Sequence, residues 1–240
     1  MTTRRVFAQA ALLAAVAYAL PLSSGAAQPA ASTKPKIGLI GSGNVGSNLG
    51  RVWASKGYAV MFSSKDIEAD RRLAAQVGSG ARAGTPQEAA AFADVLVFAV
   101  PYGALPDLGK SLGGALRGKV VIDACNPFPQ RDGAIAEEAR AQGAGIVSAR
   151  LLPGARIVRA FNAVGAARMG AVHETPGKVG MPMASDDAAA VAVATPLIRD
   201  IGFEPVLVGG LDMGRHLMPG TPLAGEHTPE EIRQIAATLR

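Results

Sequence analysis

A short apolar segment, Lys36-Ile37-Gly38-Leu39-Ile40, runs directly into Gly41-Ser42-Gly43-Asn44-Val45-Gly46, and a helix-compatible stretch continues from Asn44 to Lys56. Strand, glycine turn and helix in that order leave few folds open. Gly41 permits the tight turn, Gly43 lets backbone approach a pyrophosphate, and Gly46 allows close packing of helix on strand. The glycine pattern alone is weak; placed between a strand and a helix it is the dinucleotide-binding fingerprint. The pyrophosphate belongs at the positive end of the helix that starts near Asn44.

The rest of the chain agrees. Apolar runs at 36–41, 59–63, 95–100, 120–124, 156–161, 179–184 and 204–208 alternate with helical stretches at 66–76, 86–92, 105–116, 134–141 and 187–199. Nearly continuous hydrophobic strands separated by helices indicate a parallel sheet covered on both faces. Thr85-Pro86 with Glu88, and Thr228-Pro229-Glu230-Glu231, read as helix starts with proline at the first helical position. The expectation is an α/β protein: a Rossmann-type, doubly wound, mainly parallel sheet in a single domain. Only 32 residues follow Val208, too few for a helical substrate domain of ~100 residues. Substrate is therefore expected against the nucleotide domain itself, or between two copies of it.

The end of the second strand chooses the dinucleotide. An NAD site places Asp or Glu there for the ribose 2′-hydroxyl. Here the strand ends Met61-Phe62-Ser63-Ser64-Lys65, with hydroxyls and a cation that suit a 2′-phosphate. NADP(H) is read over NAD, and Asp66 is assigned to capping the next helix. The strand ends Val100-Pro101-Tyr102-Gly103 and Cys125-Asn126-Pro127-Phe128 should flank the nicotinamide by the switch-point rule. Tyr102 or Phe128 either stacks on a ring or is a core aromatic. Asn162-Ala163-Val164-Gly165 lies on the same edge and closes the site.

Other chemistry is sparse. His173, His216 and His227 are too widely spaced to form a metal-ligand pattern. Asp94 and Asp123 sit at opposite ends of strands and make no carboxylate pair. Cys125, the single cysteine, reads as a buried thiol rather than a nucleophile, and Met181-Pro182-Met183 as core. Neither a catalytic acid or base nor a metal site is expected.

The N-terminus adds a location. Thr3-Arg4-Arg5-Val6-Phe7 matches the twin-arginine export pattern, followed by 13 uncharged residues from Ala8 to Leu20. That run is short for a spanning helix, which needs ~20 residues, and small residues at 24–27 offer a cleavage site. The expected organisation is a signal peptide at 1–27, a tether at 28–35 and an NADP-binding domain at 36–240 with a short C-terminal helical extension. Loss of Arg4 and Arg5 takes the net charge from +5 to +3. The remaining cations are scattered, which argues against a nucleic-acid partner. The twin-arginine route exports folded proteins, so a periplasmic protein loaded with dinucleotide in the cytoplasm is expected, with no stable membrane span after cleavage.

On Gly-Ser-Gly-Asn-Val-Gly-Ser at 41–47, the serine-rich strand end at 63–65, Val100-Pro101-Tyr102 and Arg159-Ala160-Phe161-Asn162, the chain resembles the NADPH-dependent reductases of the deazaflavin coenzyme F420. It is also similar to the nucleotide domain of the STEAP-type metalloreductases. The resemblance covers roughly 36–217. It implies NADPH lying across the strand ends, with hydride passing directly to a stacked flavin or deazaflavin ring and a homodimer as the assembly. Ser42 to Val45 would hold the pyrophosphate, Ser63, Ser64 and Lys65 the 2′-phosphate, and Val100, Pro101 and Tyr102 the nicotinamide ribose. Relatives commonly carry Arg where Ser64 stands; Lys65 replaces its bidentate contact with a point charge. The reading is an oxidoreductase passing hydride between NADP(H) and F420 or a flavin (FAD or FMN). Two alternatives stand beside it: an NADPH–flavin module that feeds metal ions through a partner, and a non-catalytic dinucleotide-binding protein.

Overall fold

The computed structural model describes residues 34–239. The expected signal peptide and residues 28–33 of the tether lie outside the described residues. Eight strands form one sheet: β1 Ile37–Ile40, β2 Val60–Ser63, β3 Arg82–Ala83, β4 Val95–Phe98, β5 Val120–Asp123, β6 Arg156–Arg159, β7 Gly180–Ala184 and β8 Glu204–Gly209. Their order is β3-β2-β1-β4-β5-β6-β7-β8. Strands β1 to β6 are parallel, and the order reverses between β1 and β4. This is the Rossmann-like, doubly wound arrangement expected from the alternation of runs.

The strands read as hydrophobic throughout because both faces are covered. All four residues of β1, β2, β4 and β5 are buried. Successive side chains serve opposite layers: Ile37, Leu39, Val95, Val97, Val120 and Ile122 join one cluster, while Ile40, Leu96, Phe98 and Val121 join the other. The first layer holds α1 (Asn44–Ser55) and α9 (Ala188–Ile201), where Trp53 donates its indole N–H to the Leu197 carbonyl at 2.9 Å. The second holds α3 (Pro86–Phe92), α4 (Leu105–Leu112), α6 (Ala134–Gln142) and α7 (Ala144–Leu151). Helix α2 (Ile67–Val77) follows β2, the short α5 (Pro129–Asp132) follows β5, α8 (Ala166–Ala171) follows β6, and α10 (Pro229–Thr238) ends the chain. Both expected helix starts are present and each forms a capping box, Thr85 with Glu88 and Thr228 with Glu231.

Strand β7 departs from the parallel pattern. It meets β6 antiparallel, at the Arg159–Ala184 pair, and then pairs parallel with β8. The segment between β6 and β7 holds only α8, packed on α1, and a 3-10 turn, instead of a helix crossing the sheet. Helix α7 was also invisible in the sequence. A glycine within it, Gly145, dilutes its propensity, yet that residue sits so close to the Leu211 carbonyl that a Cβ would lie 2.4 Å from it. Among the described residues no helix is long and apolar enough to cross a membrane.

Among the described residues one ion pair is fully buried. Arg159 donates to Asp123 at 2.7 Å with both side chains 0% exposed, and reaches the Gly214 carbonyl at 3.2 Å and Asn126 Oδ1 at 3.4 Å. Breaking it by Asp123→Ala should cost about 3–5 kcal/mol, whereas replacing both partners with apolar residues should recover most of that. Urea unfolding of the two variants measures the difference.

Candidate functional site

The turn after β1 depends on two glycines, Gly41 and Gly46, whose positions leave no room for a side chain. Gly41 has φ +101, and a Cβ there would lie 2.3 Å from the Ala99 carbonyl oxygen. At Gly46 a Cβ would lie 1.9 Å from the Gly41 oxygen, so α1 starts in contact with the turn. Gly43 is the N-cap of α1 and would meet nothing within 4 Å, leaving open space above its backbone. The first amides of α1, unpartnered within the helix by construction, face the edge with no acidic residue in the first turn to neutralise them.

Two clefts run along the carboxyl edge of the sheet. The larger, about 1010 Å³, lies over β1, β2 and β4 and is bordered by Gly41, Ser42, Gly43, Ser63, Ser64, Lys65, Val100 and Pro101, with Arg131 and Asp132 on its far side. The smaller, about 490 Å³, lies at the ends of β5 and β6 and is bordered by Val45, Asn126, Phe128, Phe161, Asn162, Ala163 and Val164, with the segment from Pro219 to Gly225 opposite. None of the smaller cleft's bordering residues is ionisable. Of the predicted residues, Asn44 is exposed at the start of α1 and borders neither cleft, and Gly46 is buried beneath the turn.

Tyr102 requires a correction. Its ring is 0% exposed and its hydroxyl is held by the Ala144 carbonyl at 2.8 Å and Ser148 Oγ at 3.0 Å. It is a core aromatic, not a stacking platform, and burial keeps its hydroxyl protonated by pushing its pKa far up. Phe128 does reach the edge, 38% exposed, with the Arg131 guanidinium 5.0 Å from its ring centroid. Cys125 is buried as expected, with its thiol pKa raised by that burial. His216 borders neither cleft; burial, reinforced by Arg215, lowers its pKa. Asp66 caps α2 through the Ala69 N–H at 2.9 Å.

The serines at the β2 end are engaged in ways the sequence did not reveal. Ser63 donates its proton to the Leu39 carbonyl at 2.7 Å. Ser64 donates to Asp70 at 2.8 Å, and Ser42 donates to the other oxygen of the same carboxylate. Asp70 is 0% exposed. A carboxylate one turn into α2, spaced to point back at the strand end, was the available clue.

Asn126 and Asn162 organise the smaller cleft. Asn126 donates to the Asn162 carbonyl at 2.8 Å and Asn162 donates to the Cys125 carbonyl at 3.3 Å. Among the described residues, Asn162 Oδ1 is the buried side-chain polar atom without a hydrogen-bond partner. The preceding residue, Phe161, holds φ +65, a left-handed conformation rare for an aromatic residue. It is fixed there by edge-on contacts with Trp53 and Phe203, at 6.0 and 6.2 Å between ring centroids, and by its N–H pointing at Met181 Sδ, 3.3 Å away.

Such a sheet, glycine turn and edge cleft define a Rossmann-type α/β domain. The profile of the family described as NADP oxidoreductase, coenzyme F420-dependent, matches residues 36–127. The F420-dependent NADP reductase of Methanothermobacter thermautotrophicus is 32% identical over 206 residues, covering 78% of this chain and 87% of the relative. Metalloreductase STEAP3 of Rattus norvegicus is 26% identical over 198 residues; the match takes in 81% of this chain but only 38% of that protein. A crystal structure of a hypothetical protein from Sinorhizobium meliloti superposes with a TM-score of 0.67 at 26% identity, covering 80% of this chain and 95% of that one. The chain belongs to the F420-dependent NADP oxidoreductase family, a family of oxidoreductases.

Asp132 joins the walls of the larger cleft. Its carboxylate, 2% exposed, accepts from Phe128 N at 3.0 Å and from Arg131 at 2.8 Å, and also holds the Gly103 amide. Burial pushes its pKa up, but Arg131 and the two amides outweigh that and leave it below the ordinary value. A depressed folded-state pKa gives stability that is complete above the unfolded value of about 3.9 and is lost as pH falls further. Asp132→Asn should therefore be less stable than wild type near about pH 6, with the gap closing toward about pH 2, as thermal melts across that range would show.

Proposed function

We propose that this protein is an oxidoreductase that passes hydride between NADP(H) and a flavin-type ring, with the deazaflavin F420 as acceptor, after export to the periplasm. The observation that carries the reading is the pair of clefts on one sheet edge, one bordered by the glycine turn at the start of α1 and the other free of ionisable groups. The relative named an F420-dependent NADP reductase supports both the dinucleotide and the acceptor.

The residues fit a dinucleotide. A side chain at Gly43 would project into open space where a pyrophosphate belongs, and its absence leaves backbone and helix amides to hold the phosphates. Lys65 supplies a charge for a 2′-phosphate, and Val100 with Pro101 forms a rigid wall beside the ribose. In the smaller cleft the orphan Asn162 Oδ1 suits a donor such as the carboxamide N–H of a nicotinamide. NADPH, when bound, supplies the hydride. The chain contributes placement and dryness: Asn126 and Asn162 orient, while Val45, Phe161 and Val164 keep water away. Ring-to-ring hydride transfer depends on proximity and orientation and needs no general base.

Twin-arginine export of an already folded protein accounts for how a dinucleotide enzyme would reach the periplasm with its cofactor aboard. A second reading is favoured by the likeness to STEAP3: reduction of a flavin that passes electrons to metal ions through a partner.

The test is the exported protein itself, examined for its absorbance spectrum and, after extraction, for nucleotides by mass spectrometry. Recovery of NADP with a deazaflavin supports the first reading, and a flavin supports the second. An empty protein that also fails to bind NADPH in titration overturns both. Within the cleft, Gly43→Val should weaken NADPH about a hundredfold, equivalent to roughly 3 kcal/mol, while the melting temperature stays within a few degrees because nothing packs against that position.

A further inference from the structure

The 2′ end of the larger cleft contains a buried anion that a site specialised for a 2′-phosphate would avoid. Asp70 lies in the first turn of α2, fully buried, behind Ser42 and Ser64, which both border the cleft. Its two oxygens accept the protons of those two hydroxyls. A serine hydroxyl has a single proton to give. Ser63 has committed its own to the Leu39 carbonyl at 2.7 Å. None of the three serines at this end therefore directs a proton at the ligand.

What remains is unequal for the two dinucleotides. A 2′-phosphate is a dianion that needs donors, and here it finds Lys65, an exposed point charge on a flexible stem whose attraction is screened by solvent. It also meets the Asp70 carboxylate behind the serines, which among the described residues enters no ion pair. A ribose 2′-hydroxyl, by contrast, is itself a donor, and the oxygens of Ser42 and Ser64 keep lone pairs for it, Ser64 Oγ using one to accept the Asp66 N–H at 3.1 Å. Resting on the reading that this cleft takes the adenosine end of NADP(H), we infer that Asp70 is a specificity-determining residue that weakens discrimination for the 2′-phosphate, so that the protein accepts NADH alongside NADPH. It acts through Ser42 and Ser64 rather than by touching the ligand.

Replacement by asparagine changes the proton count at constant shape. The Asn amide accepts from one serine and donates to the other, whose own proton then turns toward the cleft, and the anion is gone. The experiment is calorimetric titration of the full chain with NADPH, NADH, 2′,5′-ADP and 5′-ADP, for wild type, Asp70→Asn and Ser64→Arg. Wild type should prefer NADPH over NADH by no more than about tenfold. Asp70→Asn should raise that preference by about a further tenfold, through tighter NADPH and 2′,5′-ADP with NADH and 5′-ADP unchanged. Ser64→Arg, which leaves Asp70 in place but adds a guanidinium facing it and the phosphate, should raise the preference at least as far and serves if Asp70→Asn fails to fold. A wild-type preference beyond ~100-fold, or a ratio that a folded Asp70→Asn leaves unmoved, overturns the role of Asp70 while leaving the dinucleotide reading intact. Failure of wild type to bind any of the four ligands overturns that reading and this inference with it.

Discussion

The contact between Gly46 and the Gly41 carbonyl governs the carboxyl edge of the sheet. With a Cβ at Gly46 lying 1.9 Å from that oxygen, any side chain would lift α1 away from β1. Because the backbones touch, α1 leaves the strand steeply and lays Leu49, Val52 and Trp53 into the core. Trp53 then meets α9 through the Leu197 carbonyl and Phe161 through its ring edge. Asn48, on the same helix, donates to the Ala166 carbonyl at 2.7 Å and so fixes the start of α8. One close approach thus sets the amide end of α1, the position of Val45 and the far wall of the smaller cleft.

A second constraint comes from charge. The Asp123–Arg159 pair lies in the interior, where an apolar pair of similar volume would give comparable stability. What an apolar pair would not provide is direction. Arg159 reaches across to Asn126 and to the Gly214 carbonyl, and Asp123 accepts from Cys125 N at 2.9 Å. The ends of β5 and β6 and the 3-10 helix at Leu211–His216 are held in one register by a single guanidinium. The asparagines that face the smaller cleft inherit their orientation from it.

Much of this was legible in the sequence, and the exceptions share a cause. The glycine turn, seven of the eight strands and the helix starts at Pro86 and Pro229 were readable because local pattern and final structure agree. Strand β3, only two residues long, and helices α5, α7 and α8 were not, since tertiary contact rather than propensity decides them. The direction of β7 was hidden because a buried strand looks alike either way round. At the site, position was readable and orientation was not. Val100 and Pro101 border the cleft, yet Tyr102, next in the chain, turns inward to Ala144 and Ser148. The hydroxyls of Ser63 and Ser64 were assigned to a ligand on residue type alone, while they donate to the Leu39 carbonyl and the Asp70 carboxylate. Asn162 was placed on the edge by the sequence but its unpartnered oxygen was not, and Asp70 was not singled out, because both features rest on what lies near them in space.

Phe161 carries a consequence beyond its own backbone. A non-glycine residue at φ +65 stores strain of order 1–3 kcal/mol, and what holds it there is aromatic packing with Trp53 and Phe203, on the side away from the cleft. The angle at which Asn162 is presented is thus tuned from inside the protein. Trp53 and Phe203, which border neither cleft, act as the adjusting screw of the smaller one.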